Sequence, residues 1–580
     1  MCGFGIEVRR DGRADRDALE RMGASMAARG PDGSGVWVDR GVGMVHRRLA
    51  IIELSELGAQ PMRDGELTIV FNGCIYNHHE LRAELRALGH SFASLSDTEV
   101  LLKGWREWGS ELPRRLHGMF AFALHDGART FLVRDRLGVK PLYLADVPGA
   151  LRAASTLPAL LAGGGVDTRV DPVALHHYLS WHSVVPAPRT ILRGVTKVPP
   201  ATVLVIEADG RRSSTVYWDP PFERRLDVDD WPGAMREALQ LAVRRRMVAD
   251  VPVGILLSGG LDSSLIVALL ARAGQTGLAT FSIGFEDVGE LSGDEFAFSD
   301  LVAREFGTDH HQLRIDRRRL VEALPQAIEA MSEPMVSHDC VAFWLLSEAV
   351  RRERKVVQSG QGADEVLGGY DWYPPLLDAP GDGLSTYAAS FFDRDDAGVR
   401  ALLADAPDED VSLAFARSWF SRGGATTPVD RALRLDTEVM LVDDPVKRVD
   451  NMTMAHGLEA RTPFLDHELV ELAAACPPEL KLADGGKGVL KDAARGVVPD
   501  AVIDRPKGYF PVPALTHLEG PVLAMVTDAL RSSDRGLFRR EAVDAMLADP
   551  NADRTNLDGS SLWQLGLLEL WLQRHVDQLP

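Results

Sequence analysis

The sequence predicts two joined folds. The first is an α+β half in which stacked sheets carry helices on the outside. The second is an α/β half built on a parallel sheet, with a largely helical C-terminal part. Three observations predict this. Up to about residue 206, short apolar runs are broken by Gly, Asp and Asn, the texture of strands. Between residues 251 and 358 strand and helix patterns alternate, which calls for crossover helices over a parallel sheet. Beyond about residue 383 helical spacing dominates. A polar stretch at 208–214 and the pair Pro220-Pro221 mark the seam, which places the domains at 1–215 and 216–580.

In order, residues 35–39, 42–46, 67–71, 119–124 and 130–134 read as strands, and 77–88 and 98–108 as helices. After the seam, Met235, Ala238, Leu239, Ala242, Val243 and Met247 fall at helical spacing. Then come a buried strand at 251–257, a helix at 263–272, a strand at 279–285 and a helix at 296–306. Strands at 311–315 and 355–358 follow, with a helix at 341–352 between them.

Length and charge narrow the function. A chain of 580 residues is too long for one ordinary core. Its 45% apolar and 26% charged residues are ordinary globular composition. A net charge of -20 disfavours nucleic acid and anionic membranes as partners. The N-terminus lacks a basic segment ahead of an apolar one, so no signal peptide is expected. Four scattered cysteines without a CxxC pair speak against a disulfide framework or a zinc cluster and suit a cytoplasmic protein. Two histidine pairs, His176-His177 and His310-His311, do not read as joint metal sites; neighbours on a strand point to opposite faces. Trp105 and Trp108 read as helix packing.

Chemistry begins at Cys2. If Met1 is removed, Cys2 carries a thiol and a free amine in one residue, and an amine of pKa roughly 7.7–8.0 serves as base for its own thiol. Phe71-Asn72-Gly73 ends a predicted strand. Asn-Gly is a hairpin-turn signal; equally, the Asn amide and the Gly N–H supply two oxyanion donors. Arg48 offers a bidentate clamp for a carboxylate. Asp97 opens a helix, as an N-cap or as a partner for an amine.

Cys2-Gly3, Arg29-Gly30-Pro31-Asp32, His46-Arg47-Arg48-Leu49, Phe71-Asn72-Gly73, Asp97-Thr98-Glu99 and the run from Arg134 to Leu142 together resemble the class II glutamine amidotransferase domain, across about the first 200 residues. The resemblance implies an N-terminal-nucleophile (Ntn) hydrolase sandwich of αββα layers. It makes Cys2 the nucleophile and Asn72 and Gly73 the oxyanion hole. Arg48 and Asp97 would hold glutamine's α-carboxylate and α-amine. One departure stands out. The family reads Asn-Gly-Glu, and that glutamate helps hold the amine; here the residue is Cys74.

In the second half an apolar strand leads into Ser258-Gly259-Gly260-Leu261-Asp262-Ser263-Ser264 and a helix. A Gly-rich turn at a helix N-terminus makes an anion site from backbone N–H groups. It is not a Walker A loop, for it has no Gly-x4-Gly-Lys-Ser/Thr. Asp262 and Ser263 also read as cap residues. The loop resembles the pyrophosphate loop of ATP pyrophosphatases, which adenylate a carboxylate and release pyrophosphate. Ser359-Gly360-Gln361-Gly362-Ala363-Asp364-Glu365 follows another strand, and Asp262 and Asp364 are candidate Mg²⁺ ligands. By the same resemblance Lys507, in Arg505-Pro506-Lys507-Gly508, neutralises the transferring phosphates.

Together the halves resemble the glutamine-hydrolysing asparagine synthase family over nearly the whole chain, with further matches at Phe281-Ser282-Ile283-Gly284, Lys447-Arg448-Val449-Asp450 and in the run from Glu459 to Asp466. The resemblance puts Leu256, Ser258, Gly259, Gly260, Asp262, Ser263, Ser264, Ile283 and Gly360 on ATP. It sends ammonia between the domains through a protected channel. It implies glutamine, ATP and a carboxylate acceptor as partners, with a homodimer left open. Asparagine synthases read Ser-Gly-Glu-Gly where this chain has Gln361, and an amide exchanges no proton as a carboxylate does. With Cys74, the run from Met331 to Phe343 and the run from Tyr370 to Pro375, this resembles the N-acetylglutaminylglutamine amidotransferase branch, which amidates an acetylated dipeptide to a compatible solute. Asparagine formation is the alternative, and a decayed regulatory or scaffold protein a more distant one.

Overall fold

The computed structural model describes residues 2–223, 226–286, 294–506, 508 and 513–578. Strands β1 (Gly3–Arg9), β2 (Gly33–Asp39), β3 (Val42–Arg48), β4 (Met62–Asp64), β5 (Leu67–Ile75) and β6 (Gly118–His125) open the first half. β7 (Thr130–Arg134), β8 (Tyr143–Val147), β9 (Ala150–Ala154), β10 (Val195–Lys197), β11 (Thr202–Ile206) and β12 (Arg212–Val216) complete it. They form two antiparallel six-stranded sheets, in the orders β10-β8-β9-β1-β3-β2 and β12-β11-β7-β6-β5-β4.

Alternation along the strands explains the layering. Phe4, Ile6, Met44, Val70, Ala121, Ala123, Leu132 and Leu144 fill the space between the sheets. The opposite face of β5 and β6 (Ile69, Phe71, Phe120, Phe122) packs under the helix Asp97–Trp108, where Trp105 meets Phe122 and Phe131. The helices Arg16–Ser25 and Leu157–Gly163 cover the other sheet. This is the αββα layering of the Ntn-type amidotransferase fold.

The second half is built on a parallel five-stranded sheet of order β15-β14-β13-β16-β17. Its strands are β13 (Val253–Leu256), β14 (Ala279–Phe285), β15 (Asp309–Ile315), β16 (Val356–Gln358) and β17 (Glu459–Arg461). β14 and the helix Phe296–Phe306 fall on the expected residues; β13 is shorter than expected and β17 went unread as a strand. Helices then dominate to residue 577. Among the described residues no helix is long and apolar enough to cross a membrane.

The halves share one interior. Leu49, Ile51, Cys74, Met119 and Leu137 of the first pack in one apolar cluster with Leu257, Leu261, Phe464 and Leu465 of the second. Buried ion pairs reinforce the seam: Asp450 takes Arg29 at 2.8 Å and Lys140 at 3.1 Å, and Lys197 meets Glu333 at 3.2 Å and Asp443 at 2.6 Å.

Candidate active sites

The first site is a cavity lined by Cys2, Arg48, Gly73, Cys74, Asp97, Glu459 and Arg461. Cys2 precedes β1 and is buried, and its backbone N–H donates to Asn72 Oδ1 at 3.0 Å. Burial pushes the Cys2 thiol up, which makes an adjacent base necessary for attack. Asn72 and Gly73 lie inside β5, opposite Ala121 and Phe120 of β6, so the hairpin-turn reading of Asn-Gly is overturned: long-range pairing continues the strand through both. Gly73 is required there, since a Cβ would stand 2.1 Å from the Met119 carbonyl oxygen. Asn72 Nδ2 is buried without a hydrogen-bond partner. An unmet buried donor is costly unless a ligand oxygen takes it, and Asn72 stands next to Cys2 and to Gly73, which borders the cavity, where an oxyanion hole would need it.

His46, buried on β3, donates from Nε2 to the Phe71 carbonyl at 3.1 Å; burial drives its pKa down to about 3, so it braces this strand as a neutral ring. Arg48 closes β3 and borders the cavity, its guanidinium anchored on the carbonyls of Ser55 (2.8 Å) and Glu53. Ser96, not Asp97, caps the helix. Asp97 Oδ2 instead accepts from the Ile75 N–H at 3.1 Å, and burial pushes its carboxyl up to about 6. Cys74 is a buried thiol.

The second site is a larger cavity of about 330 Å³ at the C-terminal edge of the parallel sheet, where such sheets bind ligands. Leu256, Phe281 and Ile283 form one wall, and Ser258, Gly260, Asp262, Ser263, Gly360, Gln361 and Asp364 another. The loop is drawn tight: Ser258 Oγ lies 3.1 Å from Ser263 Oγ and accepts from the Gly260 N–H at 3.3 Å. The cap of the helix Leu261–Arg272 is Gly260, with no side-chain bond, so Asp262 and Ser263 are not spent on capping. Gly259 has φ +80, and a Cβ there would meet the Ser299 nitrogen at 2.6 Å. Ser264 Oγ is buried without a partner behind the loop.

Asp262 and Asp364 converge on one cation. Lys487 Nζ stands 2.8 Å from Asp262 and 3.0 Å from Asp364, and against burial their charges hold its pKa above the usual range. Lys487 sits in Gly485-Gly486-Lys487-Gly488, a Gly-rich turn ahead of a helix that was a readable signal. Lys507 lies outside the described residues.

Gln361 lines the same cavity, beside Tyr370, whose hydroxyl donates to Glu365 at 2.6 Å, and beside Arg448, held by Asp444 at 3.1 Å. His310 bonds Thr280 while His311 stacks on Phe281; His176 and His177 lie on the helix Pro172–Ser180, not on a strand, and both bond Ser412.

Two family descriptions match the chain in turn. Residues 1–218 match the family described as Glutamine amidotransferase domain, and residues 234–573 match that described as Asparagine synthase. The chain is 33% identical to Asparagine synthetase [glutamine-hydrolyzing] 3 of Bacillus subtilis, over 88% of this chain and 87% of that one. It is 30% identical to Asparagine synthetase [glutamine-hydrolyzing] 1 of the same organism, over 100% and 97%. It is 28% identical to Amidase chyE of Penicillium rubens, over 90% of each. The chain therefore belongs to the asparagine synthase family, as a glutamine-dependent carbon–nitrogen ligase of the asparagine-synthetase type.

Proposed function

We propose that the chain releases ammonia from glutamine at Cys2 and uses it to amidate an ATP-activated carboxylate, the C-terminal carboxyl of N-acetylglutaminylglutamine. The observation that carries this reading is the pairing of two cavities across one apolar seam, one lined by the Cys2 thiol with Asn72 bonded to the Cys2 backbone, the other by a Gly-rich anion loop beside two carboxylates.

The Cys2 amine takes the thiol proton as sulfur adds to the glutamine amide carbon. Asn72 Nδ2 and the Gly73 N–H take the developing oxyanion. Collapse expels ammonia and leaves a thioester, which water hydrolyses to glutamate. In the second cavity the acceptor carboxylate attacks the α-phosphorus of ATP, pyrophosphate leaves on the loop, and the acyl-adenylate forms. Ammonia then displaces AMP. An apolar seam favours passage of neutral ammonia over ammonium.

Asp262 and Asp364 fit Mg²⁺: both are hard oxygen donors, and they already share one cation in Lys487. Mg²⁺ held there would neutralise phosphate oxygens; Lys487 adds its own positive charge to the same wall.

For the acceptor, Gln361 brings no carboxylate to the cavity, and Cys74, with the runs 331–343 and 370–375, agrees with the dipeptide-amidating branch. The product would be a neutral amide with the chemistry of a compatible solute. The asparagine-forming relatives favour a second reading, with aspartate as acceptor. Pyrophosphate release with Mg-ATP and glutamine, read against each acceptor and with products weighed by mass spectrometry, tests both. Turnover with the dipeptide alone is expected; turnover with aspartate alone overturns the dipeptide assignment.

A further inference from the structure

Away from both active-site cavities, a cluster of ligating side chains spans the seam. His117 comes from the first half, immediately ahead of β6. His467 and Glu468 come from the second half, where they open the helix His467–Ala475. One nitrogen of each ring and one Glu468 carboxylate oxygen lie within 4.8 Å of one another. The two rings meet edge to face, with centroids 4.6 Å apart.

Both rings lack a polar partner. His117 Nδ1 is buried with no hydrogen bond, and among the described residues neither ring donates to or accepts from another group. A buried ring nitrogen left unmet is costly. Burial lowers the pKa of both rings, that of His467 to about 3. Each is therefore neutral near pH 7, the form that ligates metals.

The backbone already fixes the three positions. The His117 N–H donates to Asn77 Oδ1 at 3.0 Å, and its carbonyl accepts from the Tyr76 N–H at 2.7 Å. Asp466 accepts from the Glu468 N–H at 3.3 Å and from Arg246 at 2.9 Å. Arg245 donates to Glu468 Oε2 at 2.5 Å, so the contact falls on one oxygen of that carboxylate. Ligating carboxylates are commonly hydrogen-bonded from behind in this way.

The donor set selects the ion. Two imidazoles and a carboxylate suit Zn²⁺ with a fourth position left to water, whereas Mg²⁺ prefers oxygen alone. Charge tempers the affinity. Arg245 and Arg136 act on His117 against Glu468 and Asp466, and the helix N-terminus adds partial positive charge. Binding in the micromolar range is therefore expected, not the tighter range of an all-cysteine site.

We propose that His117, His467 and Glu468 bind one Zn²⁺ ion, which pins the two halves of the chain together across the seam. The exposed Glu468 side chain gives the ion its path from solvent. The site goes beyond the amidation reading and does not depend on which acceptor is used.

The test uses the full-length protein, stripped with EDTA and held in excess Mg²⁺, with Zn²⁺ alone as the probe. Calorimetric titration is expected to find one micromolar site per chain. Zinc should raise the thermal midpoint, since a ligand of the folded state stabilises it. Cys2→Ala should leave both results unchanged, which separates this site from the buried thiol. His117→Ala, His467→Ala and Glu468→Gln should each weaken binding at least about tenfold and remove the midpoint rise. His467→Ala alters only the first turn of a helix, so it carries the test should His117→Ala fail to fold. Co²⁺ in place of Zn²⁺ should give the strong visible bands of a four-coordinate ion, absent in His467→Ala. A wild type without a zinc site overturns the proposal. So does a site that survives His467→Ala and Glu468→Gln, or one lost with Cys2→Ala.

Discussion

Asp97 shows how burial and chemistry oppose each other at one residue. Its carboxyl is pushed up to about 6, chiefly by burial. An ammonium ligand needs it ionised, so kcat/KM for glutamine is expected to fall below about pH 6, roughly tenfold per pH unit. Asp97→Asn should remove that limb while lowering kcat/KM throughout; a pH profile from 5 to 8 checks it. The stability sign is opposite. The folded pKa lies above the unfolded value, so the native state binds more protons between the two, and this carboxylate costs stability once pH exceeds them. Asp97→Asn is therefore expected to raise the thermal midpoint of the ligand-free protein at pH 7.5. Cys2, Arg48, Asn72 and Asp97 were legible only together, through the order and spacing that carry the amidotransferase resemblance, since Asn-Gly alone reads as a turn and Asp97 alone as a cap. Glu459 and Lys487 were not assigned a role: each stands in a readable run, but only β17 and the turn before the helix Gly488–Ala494 bring their side chains to the cavities.

At the scale of the element, the nucleotide loop and β5 differ in what local sequence says. The loop's two glycines have separate jobs. Gly259 occupies a left-handed conformation, and a Cβ would press on the backbone of the helix Phe296–Phe306; Gly260 has φ -78, and its Cβ would find only ordinary contact with Ser258 Oγ at 3.4 Å. Gly259→Ala is therefore expected to lower the thermal midpoint and to cut ATP-dependent pyrophosphate release at least about tenfold, from strain of roughly 1–3 kcal/mol and a displaced loop. Gly260→Ala should hold the midpoint near the wild-type value. Calorimetry on both variants decides it. In β5 the same kind of local signal misleads: Asn-Gly is a turn dipeptide, yet eight register pairs with β6 carry the strand straight through it.

For the whole molecule the seam matters most. Asp450 is 3% exposed and holds Arg29 and Lys140 from the other half. Asp450→Ala leaves two buried cations without their partner, and a loss of about 3–5 kcal/mol is expected. Chemical denaturation should show it, with the two halves unfolding in separate steps. The seam also links the sites through backbone: the Ser359 N–H donates to the Arg461 carbonyl at 2.8 Å, so a residue lining the glutaminase cavity is bonded to the strand end that lines the nucleotide cavity.

By itself the sequence determined the two-fold architecture and the places of strands such as β5 and β14, because strand periodicity and Gly-rich turns are local patterns; beyond about residue 383 it supplied only helical spacing. Only the tertiary structure decided that Asn72 and Gly73 sit mid-strand, that Lys487 bridges Asp262 and Asp364, and that Glu459 faces Cys2 and Asp97 across the seam. Each of these depends on chain segments tens to hundreds of residues apart, and such neighbours are set by packing and strand pairing, on which local periodicity is silent.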